Sequence, residues 1–298
     1  MAITFRKGNA PATEKPKEGR SALLYGPPFS GKTSTLQYDK SIRVLLLDLD
    51  KNSGVLDSVD NVDVLGVNTL EDVQAIRLAI ASGAGYIVIP GLPGRLVLDY
   101  DLYTIDSFTT LEEAIKNVIP VTFAPKRKRE IEGRFGAQTD WDDLQRMEVD
   151  EFRQWQKLTR NGDKSINVLW MGHDMEARES TEFNQIIQLR LQGKYAAPGI
   201  MGATDGIFYM FKQKVKPAKD KPEIMGYGVY TDNQVHGNTT YKAGARMPAR
   251  ERMRMPDVIW WPKWGDIFRQ LGSTILPEKV NPDAPAPSNS ETSEKTSG

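Results

Sequence analysis

The stretch Gly26-Pro27-Pro28-Phe29-Ser30-Gly31-Lys32-Thr33 carries the most specific chemistry in the chain, with Ser34 following it. It fits G-x-x-x-x-G-K-[ST] without a mismatch. Glycines at both ends let the backbone curl so that its N–H groups point inward at phosphate oxygens. A helix opening after Lys32 would add its positive N-terminal end. In such a loop the lysine reaches the β- and γ-phosphates and the threonine hydroxyl serves Mg²⁺. Residues 26–34 are therefore expected to hold ATP, and Thr33 to hold Mg²⁺.

The metal needs a carboxylate at the end of a neighbouring strand. Asp106, after Leu102-Tyr-Thr-Ile, is the leading candidate, because open α/β sheets bind ligands beyond their strand ends. Asp99 and Asp101 follow a less strand-like run. Hydrolysis also needs a group to orient water. Asp48 and Asp50 end the apolar run Arg43–Leu49, and their spacing places both on one face of a sheet. Either could act, and either could instead cap a loop. His173 follows Val168-Leu-Trp-Met-Gly, again at a strand end. Its imidazole suits a γ-phosphate or water contact, and the spacing fits an ordinary strand-end histidine equally.

These side chains need an α/β scaffold. The runs Ser21–Tyr25, Arg43–Leu49, Val62–Val67, Leu102–Ile105, Ile166–Met171 and Gly206–Phe211 read as strands. Helices are expected from Lys32, over Leu70–Ala81 with Thr69 and Asp72 as a capping box, and over Thr139–Arg160. Strands alternating with helices imply a mainly parallel sheet flanked by helices. Glu223–Thr231 and Thr239–Lys242 suggest a C-terminal β-hairpin extension, and Pro262–Leu271 a last helix. Tyr86–Ile89 and Arg95–Leu98 look like a hairpin inserted at 83–101, without an assigned function. Residues 1–19 read as a flexible lead, 20–275 as one domain and 276–298 as a disordered tail.

Composition narrows the classes. The 298 residues include no cysteine and two histidines, with a formal net charge of zero. Thiolate catalysis, Cys-ligated zinc and multi-histidine metal centres are thereby excluded. No signal peptide and no membrane-spanning run is legible. The expected location is the cytoplasm.

GPPFSGKT, the LLLDLD strand, TIDS and a polar residue after the next strand together resemble the RecA-like ATPases. By that match Asp50 activates water, where the family usually has glutamate, and His173 stands where the family has glutamine. TDWDDLQ, NVLWMGHD and GATDGIFYM resemble, more closely, phage-encoded RecA-core ATPases such as the Sak-type single-strand annealing proteins. The likeness covers residues 20–260. It implies a RecA-like P-loop NTPase core, a homo-oligomer with ATP near the subunit interface and single-stranded DNA as a partner. A single-strand-binding protein is a further candidate partner. Lys212, Lys214 or Arg246 would supply a cation to a neighbour's γ-phosphate.

Candidate DNA surfaces are Lys126–Arg129, the lysines from Lys212 to Lys221, Arg250–Arg254, and the connection 174–202 with Arg178, Arg190, Lys194 and Tyr195. Solvated charge or a subunit contact would look the same. The tryptophans Trp260, Trp261 and Trp264 read as a helix packed on the core. A small-molecule or nucleotide kinase, and a helicase-loading or DNA-packaging motor, share the phosphate loop and remain as alternatives.

Overall fold

The computed structural model describes residues 17–89, 94–123, 138–177, 180–216, 221–245 and 255–276. Six strands run parallel: β1 (Ser21–Gly26), β2 (Val44–Asp48), β3 (Val62–Gly66), β6 (Leu102–Asp106), β7 (Asn167–Glu176) and β9 (Gly206–Val215). Their order across the sheet is β3-β2-β6-β7-β1-β9. Every residue of β1, β2 and β6 is buried. That explains their unbroken apolar runs, since helices cover both faces of a parallel sheet.

One face packs α1 (Leu70–Ser82), α2 (Phe108–Phe123), α3 (Gln138–Leu158) and α4 (Ala196–Ala203). At its centre Trp170 of β7 meets Phe108 and Trp155 edge-on. The other face packs the segment after the phosphate loop and α5 (Trp264–Gln270). This is the expected mixed α/β class, a mainly parallel sheet flanked by helices. Thr69 and Asp72 form the expected capping box of α1.

Beyond β9 the sheet continues antiparallel through β10 (Ile224–Tyr230) and β14 (Val258–Trp260), with β13 (Gly244–Ala245) on the same outer edge of β9 as β10. This is the C-terminal β extension. The two segments expected to form its hairpin do not pair with each other. β10 pairs with β9, whereas β12 (Thr239–Tyr241) pairs with β11 (Gln234–His236) and with β8 (Gln185–Leu189). The inserted hairpin is present as β4 (Tyr86–Ile87) and β5 (Leu96–Val97).

Other expectations are refined or corrected. The helix expected after Lys32 is present, Thr33–Tyr38, and is of the 3₁₀ type. α2 was not legible, because Pro120 and the threonines Thr109 and Thr110 break its helical appearance. The connection 174–202 is not one long loop: β7 runs on to Glu176, β8 turns back against it, and α4 closes the segment. Of the three tryptophans only Trp264 is a core helix residue; Trp260 lies on β14 and Trp261 is 37% exposed. Lys126–Arg129, Arg178, Lys219, Arg246, Arg250–Arg254, most of the N-terminal lead and nearly all of the tail lie outside the described residues. Among the described residues no helix is long and apolar enough to cross a membrane.

Glu148 of α3 is fully buried, and neither carboxylate oxygen has a hydrogen-bond partner among the described residues. Burial pushes its carboxyl up to about 9, aided by nearby Glu112 and opposed by Lys116. A raised carboxyl favours folding below its unfolded value near 4.5, and that contribution is lost as pH climbs toward about 9. Glu148→Gln removes this titration. Urea unfolding is expected to show the variant gaining on the parent between pH 5 and pH 8, by on the order of 1–3 kcal/mol. An equal difference at both values would mean that Glu148 is already ionised in the fold.

Candidate active site

Parallel register fixes where the charged side chains emerge. Gly26, which opens the phosphate loop, lies opposite His173 on β7. Asp48 lies opposite Asp106 on β6. The ends of β2, β6, β7 and β1 thus stand side by side. They border a cleft of about 460 Å³ lined by Lys32, Thr33, Asp50, Asp106, His173 and Tyr227, among others. The structure brings Lys32, Asp50, Asp106 and His173 to this one cleft.

The loop is tightly built. Lys32 Nζ donates to the carbonyls of Gly26 and Pro27 at 3.0 and 2.9 Å. Phe29 and Gly31 take left-handed backbone conformations, φ 59° and 90°. A Cβ on Gly31 would meet the Tyr227 ring at 2.7 Å, and one on Gly26 would meet the Met210 carbonyl oxygen at 2.6 Å. Thr35 Oγ1 donates to the Lys32 carbonyl and accepts from Trp264 Nε1 at 2.9 Å. Gly265 N donates to Asp39 Oδ2 at 2.8 Å. The C-terminal helix therefore braces the segment behind the loop.

Thr33 Oγ1 donates to Asp106 Oδ2 at 2.6 Å. Asp106 is only 6% exposed, and burial lifts its carboxyl to about 6; the Thr33 bond and Lys32 pull it down, and Asp50 pushes it up. Burial lowers the Lys32 ammonium, while Asp106, Asp174 and Asp50 raise it. Ser30 Oγ, within the loop, is buried without a partner among the described residues. A desolvated hydroxyl–carboxylate pair, a buried lysine and an orphaned loop hydroxyl fit a Mg²⁺–triphosphate. Thr33 and Asp106 would hold the metal, Asp106 through its carboxylate, and Lys32 and the loop amides the phosphates. Mg²⁺ bound there neutralises charge on the phosphate oxygens.

Asp50 lies just past β2, with Oδ1 accepting from Ser107 Oγ at 2.9 Å and from Thr110 Oγ1. Its Oδ2 faces His173 Nε2 at 3.8 Å. Burial, then the Lys32 charge, depresses the His173 imidazole, which favours the neutral ring, and its Nδ1 is buried without a partner among the described residues. Asp48 caps the turn after β2: its carboxylate accepts from the backbone N–H of Lys51 and Ser53, while its charge, like that of Asp50, acts on Asp106. Asp101 accepts from the Arg43 backbone, and Asp99 pairs with Arg43. Lys212 Nζ donates to the Phe29 carbonyl at 3.3 Å, within the same chain. Ser107, Thr110, Tyr227 and Trp264 were missed as site residues. Only the hydroxyls directly after Asp106 left any signal in the sequence.

A phosphate loop at the end of a buried strand, with a carboxylate on a nearby strand end touching its threonine, defines a P-loop NTPase. Residues 18–247 match the AAA domain family, and the chain belongs to it. It is thus an AAA/P-loop ATPase-type domain, a class that binds nucleotide and usually Mg²⁺. No curated protein matches the chain.

Asp106→Asn is expected to separate ligand binding from stability. Its folded carboxyl is raised above the usual 3.8, so the metal-free fold loses stability as pH rises through about 6. Asparagine removes that penalty and still accepts from Thr33. At pH 7.5 without Mg²⁺ the variant should melt higher than the parent, by on the order of 1–2 kcal/mol in stability. Fluorescent-nucleotide titration should show that it has lost the Mg²⁺ dependence of binding. A variant that keeps this dependence would place the metal carboxylate elsewhere.

Proposed function

We propose that this chain is an ATP-hydrolysing RecA-like protein that acts on single-stranded DNA in phage-type recombination or strand annealing, working as a homo-oligomer. The observation that carries hydrolysis is the Asp50–His173 pair at 3.8 Å in the cleft that also holds Lys32 and Asp106. Two hydroxyls fix Asp50 Oδ1 and leave Oδ2 toward the cleft. There it orients a water whose oxygen attacks the γ-phosphorus. The bond from phosphorus to the β,γ-bridging oxygen breaks, its electron pair leaves on ADP, and the water's proton passes to Asp50 Oδ2. His173, held mainly neutral, offers a hydrogen bond to the water or the γ-phosphate and so reports nucleotide state.

Partner contacts rest on surface chemistry. Phe29 is 93% exposed at the loop tip, which supports coverage by a second copy beside the nucleotide. Lys214 is exposed on β9 near the same rim, and it remains the candidate for a neighbour's γ-phosphate. Lys212 already contacts its own loop. Tyr195 is 69% exposed, with the Lys194 ammonium 5.5 Å from its ring centroid. A stacking ring beside a cation suits single-stranded nucleic acid.

ATP turnover is expected to rise on adding a single-stranded oligonucleotide, and Asp50→Asn should keep ATP binding while slowing turnover roughly 100-fold or more. Sedimentation with ATP, with ADP and without nucleotide should show assembly favoured by ATP. Turnover indifferent to DNA, together with a monomer in every condition, would defeat the recombination reading. Phosphoryl transfer to a metabolite would put a kinase in its place.

A further inference from the structure

Arg190 stands at the catalytic edge of the same chain, where sequence reasoning had grouped it with DNA contacts. β8 runs antiparallel to β7 with Leu189 opposite Asp174, so the next pair sets Arg190 opposite His173. The Arg190 backbone N–H donates to the His173 carbonyl at 2.8 Å. Side chains of opposed residues project from the same face of an antiparallel pair. The flanking residues settle which face that is. Leu189 and Leu191 are buried in the core on the helix side, with α2, α3 and α4. Arg190, between them, therefore projects to the opposite face, that of His173 and the cleft.

The backbone beneath Arg190 is anchored on both sides. Gln192 N donates to Glu112 Oε2 at 3.0 Å, and Leu189 lies in the β7–β8 ladder. The side chain itself is exposed and makes no ion pair or side-chain hydrogen bond among the described residues. Several other arginines do have carboxylate partners: Arg20 with Glu18, Arg77 with Glu151 and Arg269 with Asp266. The positive charge of Arg190 is felt at the His173 ring.

We infer that Arg190 is a cis-acting cation for the terminal phosphoryl group, donating its guanidinium N–H groups to the γ-phosphate oxygens as the bond to the bridging oxygen breaks. This rests on the hydrolysis reading above. Charge on the transferring group is spread over its equatorial oxygens, and a planar multi-donor cation suits them. With no carboxylate partner among the described residues, the exposed Arg190 guanidinium can make that contact. Its anchored backbone, hydrogen-bonded to the residue that faces Asp50, keeps the reach constant.

The test uses the full chain with Arg190→Ala and Arg190→Lys. Turnover of Mg·ATP by Arg190→Ala is expected to fall about 100-fold or more, while ATP affinity changes little. The parent should form a tight complex with ADP and aluminium fluoride, and the variant should lose it. Arg190→Lys should recover part of both, because it restores the charge without the fork. Thermal melting at the parent's temperature would confirm that the fold is intact. Parent-like turnover in Arg190→Ala overturns the assignment, as does a defect confined to single-stranded DNA binding. Mixing Arg190→Ala with Lys32→Ala distinguishes cis from trans: activity regained on mixing would move Arg190 to a neighbour's site and sink the cis role. If the parent binds Mg·ATP and turns none over, the underlying hydrolysis reading fails instead.

Discussion

The backbone ladder joining β2, β6, β7 and β1 is the constraint on which the rest of the site depends. Parallel register aligns Gly26 with His173 and Asp48 with Asp106. Once those pairings are set, each strand delivers its polar residue at the same level of the sheet. A one-residue slip would turn each strand's side chains to the opposite face. The apolar residues that fill the two faces hold the register: Leu23, Leu45 and Trp170 on one, Leu24, Leu46 and Leu169 on the other. Core packing and site geometry are therefore one problem.

The same register brings charges together where water is scarce. Lys32 and Asp106 are both buried, and burial is the leading influence on each, acting against its charged form. The fold manages this with local bonds. Two loop carbonyls take the lysine protons and Thr33 donates to Asp106. Among the described residues, Ser30 Oγ and His173 Nδ1 are left without partners. A site satisfied by its own bonds would have little to gain from a ligand. This one retains unmet hydrogen-bonding capacity and desolvated charge, which is how function sites trade stability for binding.

The loop and the strand ends were legible in the sequence for a physical reason. Phosphate binding needs glycine at fixed spacing and a lysine, and buried parallel strands need unbroken apolar runs. Both leave local marks. The place of Asp106 beside Thr33 followed from its position after such a run. The choice between Asp48 and Asp50 did not, because both close one apolar run and either could cap the turn that follows. What settles their environments is long-range: Ser107 and Thr110 reach Asp50 from the turn and helix after β6. Trp264 bonds Thr35 across 229 positions. Contacts of that span have no spacing signature. α2 escaped notice because β-branched residues and Pro120 weaken its local helical character, while its buried face, including Phe108, Leu111, Ile115 and Ile119, comes from tertiary packing.

β7 shows why the segment beyond it was also misread. Its first residues, Asn167–Trp170, lie between β6 and β1, where every side chain is buried. Past Gly172 it outruns β6, and β8 takes the vacated edge in the antiparallel sense. From there side chains alternate between two different surroundings. His173 turns to the cleft, and Asp174 accepts from Tyr209 Oη at 3.0 Å on the opposite face. Tyr209 in turn packs against Tyr25, Tyr230 and Tyr241. One strand thus joins the catalytic edge to an aromatic layer built from β9, β10 and β12. Its hydrogen bonds to β8 bring Arg190 level with His173. A strand closed by the buried Leu189 holds the Arg190 backbone against His173 more firmly than a flexible loop would, and it depends on long-range pairing with β7 that leaves no spacing signature in the sequence.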